Sequence, residues 1–332
     1  MRILVTGGGG FIGGCIVRQL LERGDRVVCM GRNRYPELHN MGVETLQGDI
    51  RLKDAVLQAS RKCDAVIHVA AKSGGLWGRF QDYYDINVTG TRNIIDACRE
   101  NMVPRLVFTS SPSVVFDNNH QEGINEDCPY PAAYESPYPR TKAMAEQLVV
   151  AANDKNGLLT VSLRPHIVWG PGDTQLLPRL IARAKAGQIV QVGDGTNKVD
   201  MTYVEDVAHA HLLALDALKD DSPVAGSVYF ISQNEPVRLW QWINDLLEKL
   251  GLPRVKRKIS LPVARALGGT LERVYRILPL PGEPRLTRFL ATELAVSHYY
   301  DTSRAHRDFG YEPRFSMNAA MEKTLPYLKK LL

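Results

Sequence analysis

The chain has 332 residues, of which 44% are hydrophobic and 23% are charged, the balance of an ordinary globular protein. Its 41 Lys and Arg residues against 36 Asp and Glu residues give a net charge of +5, and no motif predicts a nucleic-acid partner. Five widely spaced cysteines without a C-x-x-C pair argue against a disulfide framework or a zinc site. No signal peptide opens the chain, and no apolar run approaches the length of about 20 residues that spans a bilayer. We therefore expect a cytoplasmic protein without a transmembrane segment and without a bound metal.

The first half of the chain alternates apolar runs with helical patterns. The runs typical of buried strands are, in chain order, RILVTG, DRVVCMG, DAVIHVAA, RLVFTSS and LLTVSLRP. The helical patterns include FIGGCIVRQLLERG, NVTGTRNIIDACREN and SPYPRTKAMAEQLVVAAND. This alternation indicates parallel strands covered by helices on both faces. We therefore predict an α/β fold with a doubly wound parallel sheet.

The second half is less regular. TQLLPRLIARAKAG, VEDVAHAHLLALDAL and PVRLWQWINDLLEKLG are predicted as helices, and GSVYFIS as a strand. Further on, one helical stripe collects the apolar residues Val263, Leu267, Leu271, Val274 and Leu278. We expect this stripe to pack against the sheet domain. The alternatives are a mobile cover over an apolar substrate, or a surface that contacts lipid or another protein.

A glycine-rich turn follows the first strand and opens the first helix. In TGGGGFIGG, residues Gly7, Gly10 and Gly13 have the spacing G-x-x-G-x-x-G. Backbone amides at a helix N-terminus bind a pyrophosphate only where side chains leave room for it. In this strand-turn-helix context the glycines predict a dinucleotide site in a Rossmann sheet.

The order of predicted strands and helices divides the chain into two parts. We place the dinucleotide-binding Rossmann domain at residues 1–163, completed by residues 199–232. Residues 164–198 and 233–332 are then expected to form a smaller, mostly helical part, largely C-terminal, that binds the substrate.

The end of the second strand indicates which nicotinamide cofactor is used. An acidic residue about 20 positions beyond the glycines would bind the ribose 2′-hydroxyl of NAD. Gly31 occupies that position, and Arg32 and Arg34 stand beside it. Guanidinium groups form charge-assisted bonds to a 2′-phosphate. The sequence therefore favours NADP(H).

A tyrosine and a lysine stand one helical turn apart in SPYPRTKAMAEQ. Tyr138 and Lys142 are four residues apart, so their side chains share a helix face. Tyrosine, with an ordinary pKa of about 10, is a poor acid at neutral pH. An ammonium about 4 Å from its phenolate contributes about 4 kcal/mol, equivalent to roughly three pKa units. We therefore expect Lys142 to lower the pKa of Tyr138, which would donate a proton to a nascent alkoxide.

Several motifs, in one order, resemble the extended short-chain dehydrogenase/reductase family. TGGGGFIG matches its cofactor motif, HVAA its nicotinamide pocket, YPRTK its active-site pair and TYVEDVA a later landmark. Within that family the chain is similar to the 3β-hydroxysteroid dehydrogenase-like branch. TSSPSVVFD, LRPHIVWGPGD and VGDGTNKVDMTYVEDVAHAHLLA look closest to the 2-alkyl-3-oxoalkanoate reductases of bacterial long-chain olefin biosynthesis.

The resemblance implies a set of site residues. It makes Tyr138, Lys142 and Ser111 catalytic, with Ser111 polarising the substrate carbonyl and Ser110 and Ser113 as near competitors. The residues expected to bind the cofactor are Gly7, Gly10, Phe11, Ile12, Gly13, Arg32, Asp49, Ile50, Ala70, Ala71, Tyr138, Lys142 and Pro165.

Further polar residues receive weaker assignments. The resemblance places Asn87 in a water relay behind the lysine. We expect His68 to pack at a strand end and Arg164 to be a structural cation, and His166 is a candidate substrate contact. The candidate partners of a substrate carboxylate are Lys72, Arg79, Arg285 and Arg288.

The resemblance implies a reaction. It points to an NADPH-dependent reductase that converts a 2-alkyl-3-oxoalkanoate reversibly to the 2-alkyl-3-hydroxyalkanoate. A 3β-hydroxysteroid or sterol-carboxylate dehydrogenase is the first alternative, and a catalytically silent NADP(H)-binding regulator is the second. A nucleotide-sugar epimerase or dehydratase is disfavoured by Gly31 and Arg32. The family also implies a homodimer, and a poorly soluble product suggests association with other enzymes of the pathway.

Overall fold

The computed structural model describes residues 1–73, 77–154, 157–278, 280 and 282–332. The strands are β1 (Arg2–Thr6), β2 (Arg26–Gly31), β3 (Glu44–Gln47), β4 (Ala65–His68), β5 (Arg105–Thr109), β6 (Gln121–Ile124), β7 (Leu159–Pro165), β8 (Val168–Trp169), β9 (Gln191–Val192), β10 (Lys198–Val199), β11 (Thr202–Tyr203), β12 (Val228–Ile231), β13 (Val237–Arg238), β14 (Lys258–Ile259) and β15 (His298–Tyr300).

The helices cover most of the remaining chain. They are α1 (Phe11–Glu22), α2 (Pro36–Asn40), α3 (Lys53–Ser60), α4 (Phe80–Tyr84), α5 (Gly90–Glu100), α6 (Pro137–Ala151), α7 (Leu176–Lys185), α8 (Val204–Ala217), α9 (Leu239–Lys249), α10 (Leu261–Ile277), α11 (Arg288–Glu293), α12 (Ser303–Phe309) and α13 (Met317–Lys329). A π-helical turn at Asp85–Thr89 joins α4 to α5, and a 3₁₀ turn at Pro112–Val115 follows β5.

A seven-stranded parallel sheet forms the centre of the fold. Its strand order is β12-β7-β5-β4-β1-β2-β3, and every neighbouring pair is parallel. Strands β2 and β3 are added on one side of β1, and β4, β5, β7 and β12 are then added on its other side. The strand order therefore reverses between β1 and β4, the place where doubly wound sheets bind ligands. The predicted doubly wound parallel sheet is confirmed.

Both faces of this sheet are covered by helices. On one face, α1 and α8 pack together, and their residues Ile16, Leu20 and Leu215 are fully buried in one apolar core. On the other face, α3 and α5 pack together, and Ile94 belongs to a second core. Burial on both faces explains why the strands read as continuous apolar runs rather than as alternating ones.

The chain beyond the sheet contributes a smaller sheet and a third apolar core. The order of the four-stranded sheet is β13-β10-β15-β6, so it joins strands from distant parts of the sequence. Residues of α7, α9 and α13 surround Trp169 and Trp242, whose rings meet edge to face with centroids 5.1 Å apart. The division into two domains stays a prediction, although β12 does lie beside β7 in the central sheet.

The apolar stripe of α10 and its C-terminal end is largely uncovered, so the expectation that the whole stripe packs against the sheet is wrong, although Leu271 and Val274 are half-buried. Val263, Leu267 and Leu278 are 49%, 50% and 52% exposed. The buried residues of α10 are instead Ala264, Gly268 and Glu272. A Cβ at Gly268 would lie 2.7 Å from the backbone of Thr287, the N-cap residue of α11. The face of α10 that carries small residues therefore packs against α11. Among the described helices, none is long and apolar enough to cross a membrane.

A buried ion pair ties β7 to α6. The Arg164 guanidinium donates to Glu146 over 2.9 and 2.7 Å, and the two side chains are 2% and 0% exposed. The Tyr130 hydroxyl donates to the same carboxylate over 2.7 Å. Arg164 thus has the contacts of a structural cation, because its charge is neutralised within the protein core.

We expect Glu146→Gln to destabilise the protein by about 3–5 kcal/mol, because it leaves a buried guanidinium without its counter-charge. Urea unfolding monitored by circular dichroism measures the change. The control is Asp216→Asn, which neutralises the carboxylate of a more exposed pair, in which Arg23 Nη1 contacts both carboxylate oxygens, and should cost about 1 kcal/mol or less. Equal losses in the two variants would show that burial does not set the strength of the Arg164 pair.

Candidate active site

The predicted site residues share one edge of the central sheet. Ser111 follows β5 and Pro165 ends β7, while Ala70 and Ala71 follow β4. All these strands are parallel, so their carboxyl ends lie on the same side. The remaining predicted residues come from the turn after β1, the first turn of α1, the ends of β2 and β3, and helix α6: Gly7, Gly10, Phe11, Ile12, Gly13, Arg32, Asp49, Ile50, Tyr138 and Lys142.

The glycine turn is crowded by backbone atoms. A Cβ at Gly13 would lie 2.2 Å from the carbonyl oxygen of Gly7, and one at Gly7 would lie 2.9 Å from the backbone nitrogen of Ala70. Gly7 also has φ +73°, which strains other residues. These contacts bring the turn before α1 close to the residues after β4 and leave no room for a side chain at Gly7 or Gly13. This is the cradle that a pyrophosphate requires.

An aromatic side chain that the sequence analysis missed lies beside this turn. A Cβ at Gly9 or Gly31 would fall 2.0 or 2.6 Å from atoms of the Tyr35 side chain, so Tyr35 lies against both glycines. Arg32 is exposed at the end of β2. Arg51, with a smaller contribution from Arg32, lowers the pKa of Asp49. Tyr35 belongs to no recognisable motif, so only its contacts place it here.

A cavity of about 160 Å³ brings Ser111 and Tyr138 together. Both side chains line it, and the Ser111 hydroxyl is close enough to Tyr138 to lower the pKa of that tyrosine. Ser111 Oγ also lies 2.9 Å from Ser113 Oγ, and Ser113 lines the same cavity. Ser110 is buried and does not line it in the described structure. The geometry therefore places Ser111, rather than Ser110, next to the tyrosine hydroxyl.

The expectation that Lys142 lowers the pKa of Tyr138 is wrong for the chain by itself. Burial raises the pKa of Tyr138 to about 12, and the neighbouring Ser111 hydroxyl opposes this rise only in part. Burial also lowers the pKa of Lys142 to about 7, so its charge is weakened at neutral pH. Lys142 Nζ donates to the Thr109 carbonyl oxygen over 2.6 Å. Desolvation therefore outweighs the attraction that the helical spacing suggested.

His68 and Asn87 have supporting contacts. His68 Nδ1 lies 2.7 Å from Thr6 Oγ1, and its Nε2 lies 3.1 Å from Thr91 Oγ1. Burial lowers the pKa of His68 to about 3, which suits a packed neutral imidazole. The Asn87 amide nitrogen donates to Thr141 Oγ1 over 3.0 Å, so Asn87 supports the residue next to Lys142. A water relay through Asn87 stays a prediction.

Two cavity residues come from the far end of the chain and were missed by the sequence analysis. Glu293, at the end of α11, and His298, at the start of β15, line the cavity with His166. Burial raises the pKa of Glu293 to about 8, so this carboxyl is mostly neutral at pH 7. Neither residue belongs to a local motif. A sequence separation of more than 150 residues from Tyr138 hides their proximity.

The four candidate cations for a substrate carboxylate lie elsewhere. Arg79 is exposed and pairs with Asp82 over 2.9 Å, and Arg288 Nε pairs with Glu272 at the same distance. In the described part of the chain, neither these two nor Lys72 and Arg285 line the cavity. The walls are instead formed by Ser111, Ser113, Phe116, Tyr138, His166, Ile167, Phe289, Glu293, His298 and Tyr300.

Comparison with known proteins now identifies the family. The family model for the 3-beta hydroxysteroid dehydrogenase/isomerase family matches residues 4–263. The chain belongs to this family. Proteins of this family are extended short-chain dehydrogenases/reductases, and this one is an NAD(P)-dependent oxidoreductase of that type.

Individual relatives agree with this assignment. The chain is 48% identical to the 2-alkyl-3-oxoalkanoate reductase of Stenotrophomonas maltophilia, over 97% of this chain and 98% of that one. It is 33% identical to the human sterol-4-alpha-carboxylate 3-dehydrogenase, decarboxylating, over 99% and 89%. Among solved structures, MoeE5 in complex with UDP-glucose and NAD matches with TM-score 0.76 and 26% identity, over 99% of each chain.

We expect Gly13→Ala to weaken NAD(P)H binding, because the added methyl group collides with the Gly7 backbone and opens the turn. The dissociation constant should rise at least about tenfold in a fluorescence titration. The matched control is Gly14→Ala one position later, where the nearest atom is an ordinary 3.4 Å away. That variant should keep its affinity and gain up to about 1 kcal/mol of stability. Equal affinities in the two variants would contradict the explanation.

We expect Lys142→Met to stabilise the fold by about 1–2 kcal/mol at neutral pH while abolishing turnover. The folded state lowers the pKa of Lys142 from 10.5 to about 7. The unfolded chain therefore binds more protons between these values, and the lysine's cost to stability falls as pH rises. Unfolding curves at pH 7 and near pH 10 measure this, and the gain should shrink at the higher pH. A gain independent of pH would rule out charge burial as its cause.

Proposed function

We propose that the protein is an NADPH-dependent reductase that converts a 2-alkyl-3-oxoalkanoate to the 2-alkyl-3-hydroxyalkanoate, a reversible step of long-chain olefin biosynthesis. The observation that carries the proposal is the placement of Ser111 and Tyr138 together in the wall of one cavity. Similarity to proteins named 2-alkyl-3-oxoalkanoate reductase supports the choice of substrate. The lower similarity to sterol dehydrogenases keeps a 3β-hydroxysteroid or sterol carboxylate as the second candidate.

The glycine turn would hold the cofactor pyrophosphate with backbone amides at the N-terminus of α1, where Gly10 and Gly13 carry no side chain. Arg32, exposed at the end of β2, would bind the 2′-phosphate and so favour NADPH over NADH. Lys142, buried beneath the sheet edge, would hold the nicotinamide ribose. When bound, the reduced nicotinamide supplies the hydride to the carbonyl carbon.

Tyr138 would supply the proton that the reduced carbonyl oxygen needs. An alkoxide is far more basic than a phenolate, so a tyrosine with a pKa of about 12 still protonates it favourably. The high pKa also keeps Tyr138 protonated at neutral pH, which suits reduction better than oxidation. Ser111 would donate to the same oxygen and orient the carbonyl. These roles follow from the cavity that the two residues share.

The cavity fits the reacting head group only. Its volume of about 160 Å³ is below the about 300–1,000 Å³ of ordinary ligand pockets. Two long alkyl arms would therefore extend beyond it. The apolar side chains of Phe116, Ile167 and Phe289 in its wall would contact the first carbons of those arms. A cytoplasmic location, a homodimer and contacts with other pathway enzymes stay predictions.

Turnover with competing substrates tests the function. We expect the protein to oxidise a synthetic 2-alkyl-3-hydroxy acid with NADP⁺ and to show little activity towards a 3β-hydroxysteroid. Assays with both nicotinamide cofactors, in both directions, should give a lower KM for NADPH than for NADH. Oxidation of the steroid alone would reverse the ranking of substrates, and a clear preference for NADH would remove the assignment to Arg32.

We expect Tyr138→Phe to reduce kcat by about 10²–10⁴-fold, because the nascent alkoxide loses its proton donor. The control is Tyr134→Phe, which removes a nearby hydroxyl that donates to the Val114 carbonyl oxygen over 2.8 Å. Steady-state kinetics of the two variants separate a chemical role from a packing role. Near-normal turnover by the Tyr138 variant would count against the proton-donor assignment.

A further inference from the structure

Two histidine rings in the cavity wall form a continuous hydrogen-bonded chain. His298 Nδ1 lies 2.9 Å from His166 Nε2, with the rings edge to face and their centroids 4.8 Å apart. At one end, His166 Nδ1 contacts the backbone oxygen of Asp200. At the other end, His298 Nε2 lies 2.9 Å from the backbone oxygen of Glu293. The pair is therefore flanked by a carbonyl oxygen on each side.

The number of protons that the two histidines need follows from the carbonyl oxygens at the two ends of this row of hydrogen bonds. A carbonyl oxygen only accepts hydrogen bonds, so His166 Nδ1 and His298 Nε2 must each carry a proton. A neutral imidazole has one N–H, and these two bonds use both. The contact between the rings then needs a third proton, on His166 Nε2 or on His298 Nδ1. With all three bonds made, the two histidines together carry one positive charge.

Burial opposes that charge. It lowers the pKa of His298 to about 4 and that of His166 well below its ordinary value of 6.5. Burial also raises the pKa of Glu293 to about 8, so near pH 7 this carboxyl offers little negative charge to compensate. A neutral pair leaves two nitrogen lone pairs facing each other over 2.9 Å. The hydrogen-bonded pair of histidines therefore lacks one proton until an anion enters the cavity.

The proposed substrate brings such an anion. In a 3-oxo acid the carboxylate is separated from the ketone by a single carbon, so it must enter the small cavity when the ketone meets Tyr138 and Ser111. Among the described residues, no lysine or arginine lines that cavity. A buried carboxylate without a counter-charge is strongly disfavoured. The histidine pair is the group in the wall that can become a cation.

We propose that His166 and His298 form the carboxylate-binding subsite of the enzyme and take up one proton from solvent when the substrate carboxylate binds. This inference rests on the proposed function. Hydronium or the buffer acid gives up the proton, which forms an N–H bond on His166 Nε2 or His298 Nδ1 and donates to the other ring. The subsite thereby selects 3-oxo acids over neutral ketones and sets the orientation of the substrate relative to Tyr138.

Other ionisable groups near the pair belong to different elements. The carboxyl of Asp200 is buried, and burial raises its pKa to about 6. His120 stands before β6, and its Nδ1 accepts from the Ser297 amide over 3.1 Å. The groups that face the histidine pair are Glu293 from α11, Tyr138 from α6, Tyr300 from β15, Asp200 from the segment after β10, and His120.

Proton uptake on binding tests the subsite directly. Calorimetric titration of a short-chain 2-alkyl-3-hydroxyalkanoate, in buffers of different ionisation enthalpy, measures the protons taken up per ligand bound. We expect about one proton for the acid and none for its methyl ester. The dissociation constant of the acid should rise about tenfold per pH unit between about pH 5.5 and 7.5, and that of the ester should stay constant.

Conservative variants identify the group that takes up the proton. In His166→Asn the amide nitrogen replaces Nδ1 and still reaches the Asp200 carbonyl, and in His298→Gln it replaces Nε2 and still reaches the Glu293 carbonyl. Each variant cuts the bond between the rings. Each should abolish proton uptake and weaken acid binding at least about tenfold, with ester binding within about twofold of normal. His120→Asn, outside the cavity, is the control and should change neither quantity.

Three outcomes would overturn the inference. The first is binding of the acid by the natural protein without proton uptake, which needs no variant to be folded. The second is uptake that persists in both histidine variants and disappears in Glu293→Gln, which would assign the proton to the carboxyl. The third is an equal loss of acid and ester binding, which indicates packing only. If the enzyme still turns over the acid and its methyl ester, any of the three outcomes overturns the subsite and leaves the proposed function intact. If the enzyme turns over neither ligand, the proposed function itself is rejected.

Discussion

Removal of water from ionisable side chains at the carboxyl edge of the sheet is the constraint on which the site depends. It raises the pKa of Tyr138 and Glu293 and lowers that of Lys142 and the cavity histidines. Every shift favours the neutral form, as expected for groups moved into a medium of low dielectric constant. The cavity therefore holds proton donors and acceptors with little net charge. Such a wall responds strongly to a charged ligand, because little water screens the new charge.

The strand topology explains why these groups meet. Parallel strands place their carboxyl ends on one side, and the reversal of order between β1 and β4 separates the loops there. The glycine turn after β1 and the serines after β5 thus lie on the same side of the sheet. Helix α6 then passes the end of β5 closely enough for Lys142 to reach the Thr109 carbonyl oxygen. The smaller C-terminal elements, α11 and β15, add the remaining wall.

Stability and activity make opposite demands on this region. A buried lysine with a lowered pKa, an acid with a raised one and histidines short of a proton each cost folding free energy. The buried pair of Arg164 and Glu146 shows the alternative, in which two opposite charges neutralise each other and leave no group for a ligand. Among the described residues, no oppositely charged side chain pairs with Glu293, His166 or His298, and that makes these groups available to a substrate.

The amino-acid sequence by itself determined the doubly wound sheet, the glycine turn and the positions of Tyr138, Lys142 and Ser111. Each rests on a local signal: apolar periodicity, close glycine spacing, a four-residue helical separation or a short family motif. Only the tertiary structure decided the pKa of Tyr138, the exposure of the α10 stripe and the presence of Tyr35, Glu293 and His298 at the site. Desolvation and contacts between distant segments depend on the whole surrounding packing, and a spacing of four residues contains no information about either.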